Sequence, residues 1–110
     1  MSDFPEFITR LPELDLPFEG VWGHLLQGAH HQVAFIAFDR DTVVPPHRHR
    51  AQWELVVTGE VRLATPAGET TYTAGQSFYL PEGVEHGATV AAGYRGVVFF
   101  DQADRYRART

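Results

Sequence analysis

Hydrophobic and polar residues alternate through the middle of the chain in short segments. Gly, Pro or Asp residues bound these segments, and no stretch keeps a 3.6-residue period over 11 residues. The pattern predicts eight β-strands, at residues 21–27, 31–38, 51–58, 60–65, 69–73, 76–80, 87–91 and 95–101. Because many short strands at this spacing are typical of a sandwich or a barrel, we expect an all-β fold.

Several of these strands are apolar on both faces. The segment 33–38 places apolar side chains on each side, and the segment 97–100 reads Val-Val-Phe-Phe. In the strand at 51–58, one face carries Trp53, Leu55 and Val57, and the other carries Gln52, Glu54 and Val56. A two-sheet sandwich buries only one face of each sheet. The second face therefore needs a cover, and we predict a homodimer.

The two ends of the chain differ from the middle, which we take as one barrel domain at 21–104. Residues 1–20 contain Pro5, Pro12 and Pro17, which should break any helix, but they are too apolar for a free tail. We expect an extended arm that packs along the barrel or along a neighbouring subunit. Residues 105–110 carry three Arg residues, and we expect a solvated, frayed tail.

Composition excludes several classes of function. The formal net charge of −5 is unfavourable for binding a nucleic-acid backbone. The nine basic residues are all Arg, so neither a Schiff-base lysine nor a Walker-type phosphate loop is available. Without Cys there are no disulfides or thiolate metal sites. The sequence has no apolar run of about 20 residues and no signal peptide at its start, so we expect a cytoplasmic protein that does not bind membranes.

A pair of histidines follows two prolines. In Pro45-Pro46-His47-Arg48-His49 the prolines favour an extended chain, in which side chains at i and i+2 point the same way. Two neutral imidazoles can then converge on one divalent metal ion. Such a pair is a weak signal by itself, because a single His is more often structural.

Two longer motifs resemble those of the cupins. The first is His47-x-His49 followed by Gln52, Glu54 and Gly59, and the second is Gly75-x5-Pro81-x-Gly83-x2-His86. Only the Asn usually found four residues after the last His is missing, since position 90 is Val. The resemblance covers about residues 31–101 and implies a double-stranded β-helix, or jelly-roll, barrel with a metal ion in its mouth.

The resemblance also implies a ligand set, which consists of His47, His49, Gln52 or Glu54, and His86. Nitrogen and oxygen donors suit Zn, Mn, Ni or Fe, and the sequence does not choose among these metals. Gly83 permits a sharp turn before His86, and we expect two strands far apart in sequence to deliver histidines from opposite walls of one cavity.

The fourth ligand depends on the register of the chain after His49. Counting from His49 favours Glu54, whereas counting back from Gly59 favours Gln52. We prefer the count from Gly59, because register is rigid within a strand and the connection at 50–51 can vary in length. Gln52 is then the ligand, through its amide oxygen, and Glu54 is a catalytic carboxylate in the pocket. Odd positions 47 and 49 and even positions 52 and 54 share a pocket only if the chain bends between them.

The substrate is expected to be a small polar or anionic organic molecule. Arg62 is a candidate for holding a carboxylate, and Trp22 and His24 are candidates for lining the pocket. The first hypothesis is a metal-dependent isomerase, lyase or dioxygenase with Glu54 as its base. The alternatives are a non-catalytic sensor of a small ligand or metal, and a metal-free structural barrel.

Overall fold

The computed structural model describes residues 4–109. Within them lie one short helix, α1 (Glu6–Thr9), and nine strands. The strands are β1 (Val21–Gln27), β2 (Gln32–Phe38), β3 (Thr42–His47), β4 (Gln52–Thr58), β5 (Glu60–Thr65), β6 (Gly68–Thr73), β7 (Ser77–Leu80), β8 (His86–Val90) and β9 (Tyr94–Phe100). The all-β prediction is confirmed, and each of the eight predicted strands is present to within one residue at either end.

The strand that the pattern missed is β3. It contains Pro45 and Pro46, which lack the N–H group that a sheet ladder needs. The strand lies at an edge of its sheet, and its register with β8 shifts between Val44 and His47. An edge position with a local irregularity is where a sheet tolerates proline.

The strands form two antiparallel sheets. The five-stranded sheet has the order β1-β2-β9-β4-β7, and the four-stranded sheet has the order β3-β8-β5-β6. The chain passes from the smaller sheet to the larger one through residues 48–51, between β3 and β4. This crossing supplies the bend expected between positions 49 and 52, so that side chains of opposite parity face the same interior.

Successive side chains of a strand alternate between the buried face and the exposed face. On β4, Gln52 and Val56 are buried, whereas Trp53 is 43% exposed. The buried residues of both sheets form one core, which includes Ile36, Leu63 and Phe100.

The outer face of the larger sheet carries a row of apolar side chains in direct register across all five strands. The row consists of Leu26, Val33, Phe99, Trp53 and Tyr79. This is the second apolar face that the sequence indicates.

Both chain ends are attached to the barrel. Contrary to expectation, the N-terminal segment contains the helix α1. Pro5 is compatible with the start of this helix, because an N–H group there has no acceptor within the helix. Further along, Leu14 is 1% exposed in the core and pairs with Ala108 in an isolated β-bridge. The backbone N–H of Arg109 donates to Glu13 at 2.7 Å, so the expectation of a frayed tail is wrong for residues 105–109. Residues 1–3 and 110 of the predicted arm and tail lie outside the described residues.

No helix of residues 4–109 is long and apolar enough to cross a membrane.

Candidate functional site

A cavity of about 270 Å³ lies between the two sheets. Most of its wall is apolar, with side chains from both sheets and from the N-terminal segment, such as Phe18, Ile36 and Phe78. Polar groups of the wall come from β3 and β8 of the smaller sheet, from β4 and β9 of the larger sheet and from the C-terminal segment. They are His47, Gln52, Glu54, His86, Tyr94, Arg105 and Tyr106.

Three histidines of the two motifs come together at this cavity. One ring nitrogen from each of His47, His49 and His86 lies within 4.8 Å of the others. The expectation that the histidines come from opposite walls is wrong. The strands β3 and β8 are neighbours, and His47 and His86 are direct register partners, with ring centroids 4.3 Å apart. His49 joins them from the connection that leads to β4.

Hydrogen bonds to the backbone orient all three rings. The Nδ1 of His47 lies 3.0 Å from the carbonyl oxygen of Pro45. The Nδ1 of His49 lies 2.6 Å from the carbonyl oxygen of Arg50, and the Nδ1 of His86 lies 2.9 Å from that of Val84. A carbonyl only accepts, so each Nδ1 carries a proton, and in a neutral ring the Nε2 then keeps its lone pair. Metal-binding histidines in proteins are held in this way.

The charge state of the rings also suits a metal ion. Burial lowers the pKa of His49 to about 4, with the Arg50 carbonyl opposing and the Arg105 charge adding to this effect. Burial likewise lowers the pKa of His86. Both rings are therefore neutral at neutral pH, which is the form that binds a metal. The Nε2 of His49 is buried and has no hydrogen-bond partner among the described residues. Such an atom calls for a ligand, so the residues fit a divalent ion.

Across the cavity, β4 and β9 carry a hydrogen-bonded trio. The Gln52 amide donates to one oxygen of Glu54 at 3.1 Å, and the Tyr94 hydroxyl donates to the other. Burial raises the pKa of Glu54 to about 7, against the opposing effect of these two donors. Burial and the Glu54 charge raise the pKa of Tyr94, which stays protonated. Because the amide nitrogen of Gln52 donates to Glu54, the amide oxygen of Gln52 is available to another group.

Tyr94 and Arg105 were not among the predicted site residues. Tyr94 has the same strand parity as the buried Val98 and Phe100, and this alternation marks it as inward-facing. Arg105 follows the last strand, and its Nη2 donates to the Nε2 of His47 at 3.4 Å. The aromatic Tyr106 beside it was a signal that the tail packs against the barrel.

Three predicted substrate-binding residues lie outside the cavity, which corrects that expectation. The Nε1 of Trp22 donates to Asp39 at 2.9 Å, and the ring of His24 bonds to the Leu11 carbonyl at 3.0 Å under the N-terminal segment. Arg62 faces outward and pairs with Glu69 at 3.5 Å. Each has the strand parity of the outer face, opposite to that of its buried neighbours.

Comparison with known proteins identifies the family of the chain. The sequence profile of the cupin domain matches residues 34–101. The chain belongs to the cupin family. This confirms the resemblance drawn from the two motifs and, with the two antiparallel sheets, the jelly-roll barrel. No curated protein matches the chain.

Solved cupin structures share the fold. An RmlC-like cupin from Shewanella frigidimarina is 29% identical with a TM-score of 0.74, and the match covers 86% of each chain. KdgF from Halomonas is 21% identical with a TM-score of 0.70, over 83% of this cupin and 87% of that chain. Oxalate decarboxylase from Bacillus subtilis is 15% identical with a TM-score of 0.74, over 88% of this cupin and 29% of that chain.

Proposed function

We propose that this cupin binds one divalent metal ion and acts on a small anionic organic molecule in its cavity. The metal would be held by the Nε2 atoms of His47, His49 and His86 and by the amide oxygen of Gln52. The observation that carries the proposal is the convergence of three rings whose Nδ1 atoms are all committed to backbone carbonyls. Mn(II) centres in the oxalate decarboxylase of Bacillus subtilis make Mn a metal to test beside Zn, Ni and Fe.

The proposed ligand set is neutral, so the ion would keep its full positive charge. Such an ion supplies Lewis-acid activation of a carbonyl or hydroxyl oxygen and makes bound water more acidic. A site of this charge favours anionic molecules over neutral ones. Gln52 links the site to Glu54, since its nitrogen donates to the carboxyl group while its oxygen is available as a ligand.

Glu54 is the proposed catalytic acid–base group. A pKa of about 7 allows the carboxyl group both to hold and to release a proton near neutral pH. Tyr94 fixes one carboxyl oxygen, so the proton moves to and from a set position on the cavity wall. Isomerase and lyase reactions commonly use such a proton transfer, whereas a dioxygenase reaction would also need a redox-active metal such as Fe.

Metal analysis of the purified protein tests the proposal. The wild type should hold about one metal ion per chain, and added metal should raise its melting temperature by mass action. His86→Ala should lose both properties, because it removes one of three converging ligands. His30→Ala, at an exposed position between β1 and β2, is the matched control and should keep both. Equal metal content in the wild type and in His86→Ala would overturn the assignment.

A further inference from the structure

The polar and apolar parts of the cavity together define a class of substrate. We infer that the site takes a small monocarboxylate with an apolar body, and that Arg105 is the specificity-determining residue that holds its carboxylate. The inference rests on the proposed function, since it names the substrate class of the same site. It follows from the anchoring of Arg105, the charge of the cavity wall and the chemistry of the remaining lining.

Arg105 is held in place by its neighbours but lacks a partner for one donor. Its guanidinium carbon lies 4.4 Å from the centre of the Tyr106 ring and 5.7 Å from that of Phe100. The Nε atom is buried and has no hydrogen-bond partner among the described residues. A buried N–H without an acceptor is unfavourable, so this donor favours a molecule that supplies an acceptor. A carboxylate fits best, because the planar guanidinium binds its two oxygens together.

Charge in the cavity favours the same ligand. Arg105 is the one arginine of the cavity wall formed by the described residues. Its Nη2 donates to the Nε2 of His47 at 3.4 Å, and a metal ion on that nitrogen would release Nη2 to bind an anion. An anion between the guanidinium and the histidine cluster would compensate the positive charge of Arg105.

The rest of the cavity excludes a polyhydroxylated body. Its wall beyond the polar end consists of aliphatic and aromatic side chains such as Ile36, Val61 and Val98. A sugar acid would bury several hydroxyl groups there without partners, which is costly for each group. The cavity of about 270 Å³ is large enough for a small organic molecule. A compact acid of the size of benzoate suits its apolar wall.

Calorimetric titration of the metal-loaded full chain tests the inference with three probes. Benzoate has the carboxylate and the apolar body, benzamide lacks the charge, and galacturonate has the charge on a polar body. We expect benzoate to bind at least about tenfold more tightly than either of the others, because benzamide lacks the charge and galacturonate lacks the apolar body. This comparison needs no variant. Tighter binding of galacturonate, or equal binding of benzamide, would overturn the inference.

Variants test the role of Arg105 itself. Arg105→Gln should weaken benzoate binding by about 10- to 100-fold and bring it to the level of benzamide. Arg107→Gln, an exposed arginine two residues away, is the matched control and should bind as the wild type does. Arg105→Lys keeps the charge without the planar fork, and it should recover part of the affinity if carboxylate binding is the role. Unchanged benzoate binding in Arg105→Gln would overturn the assignment.

Metal analysis of the same samples separates this inference from the proposed function. Arg105→Gln should keep its metal, because Arg105 is not a ligand. If the wild type holds no metal but binds benzoate through Arg105, the proposed metal site fails and the carboxylate site stands. If metal is present and binding is independent of Arg105, the metal site stands and the carboxylate site fails.

Discussion

The buried carboxyl group of Glu54 should make the stability of the metal-free protein depend on pH. Its pKa is raised from 4.5 to about 7, so the folded chain keeps a proton that the unfolded chain loses at lower pH. The free energy of unfolding therefore falls as pH rises from 4.5 to about 7, and the loss is complete above the folded pKa. At about 1.4 kcal/mol for each pKa unit, the full loss is about 3 kcal/mol.

The substitution Glu54→Gln isolates this effect. Glutamine keeps the size and can accept the hydrogen bond of Tyr94, but it cannot ionise. The unfolding free energy of the variant minus that of the wild type should therefore rise by about 3 kcal/mol between about pH 4.5 and about pH 8. Urea unfolding in the presence of a chelator measures both proteins over this range. The lowered pKa values of His49 and His86 weaken both folded proteins at low pH, so their contribution cancels in the difference.

The control is Glu60→Gln, which removes an exposed carboxyl group on β5. Its difference from the wild type should stay within about 0.5 kcal/mol across the same range, as for other surface changes. A difference for Glu54→Gln that is equally flat would refute the reasoning, since it would mean that the carboxyl group ionises as easily in the folded chain as in the unfolded one.

Three further predictions concern the site and the assembly. Gln52→Ala should lose metal and Glu54→Ala should keep it, as measured by metal analysis. Loss of metal in Glu54→Ala alone would mean that Glu54, and not Gln52, is the fourth ligand. Tyr94→Phe removes a donor that lowers the pKa of Glu54, so the pH-dependent loss of stability should extend to higher pH in the same urea series, and an unchanged profile would contradict this. The wild type should be a homodimer that Trp53→Glu dissociates, as measured by light scattering at micromolar concentration; a wild-type mass of 12.4 kDa would contradict it.

The sequence was sufficient to predict eight of the nine strands of the described residues and the two faces of β4. Alternation along 51–58 separates Gln52 and Glu54 from Trp53, and the structure places the first two at the cavity and the third on the outer face. Alternation alone does not show which of two faces is the inner one when both are partly apolar. For this reason the prediction that His24 lines the pocket was wrong. His24 lies on the same outer face as Trp22, and a histidine beside an aromatic residue is compatible with either face.

Contacts between distant segments were beyond prediction from local pattern. The motifs identified His47 and His86, but their direct pairing follows from the order of strands in the smaller sheet. The contact of Arg105 with His47 joins residues 58 positions apart and requires the tail to return to the barrel. Composition favoured a solvated tail, because three Arg residues outweigh one tyrosine in any local measure of hydropathy.

The tail also accounts for how one barrel could combine the proposed metal site with the proposed carboxylate site. The two sheets supply the histidines, Gln52 and Glu54, all of which lie on regular strands or beside them and are fixed by the fold. The guanidinium of Arg105 is instead fixed by stacking on Tyr106 and by the β-bridge that ties Ala108 to Leu14. Changes in this segment should therefore alter which acid the proposed carboxylate site binds without replacing any proposed metal ligand. On this reasoning, variants of Arg105 and Tyr106 should change affinity for carboxylates while metal content stays constant.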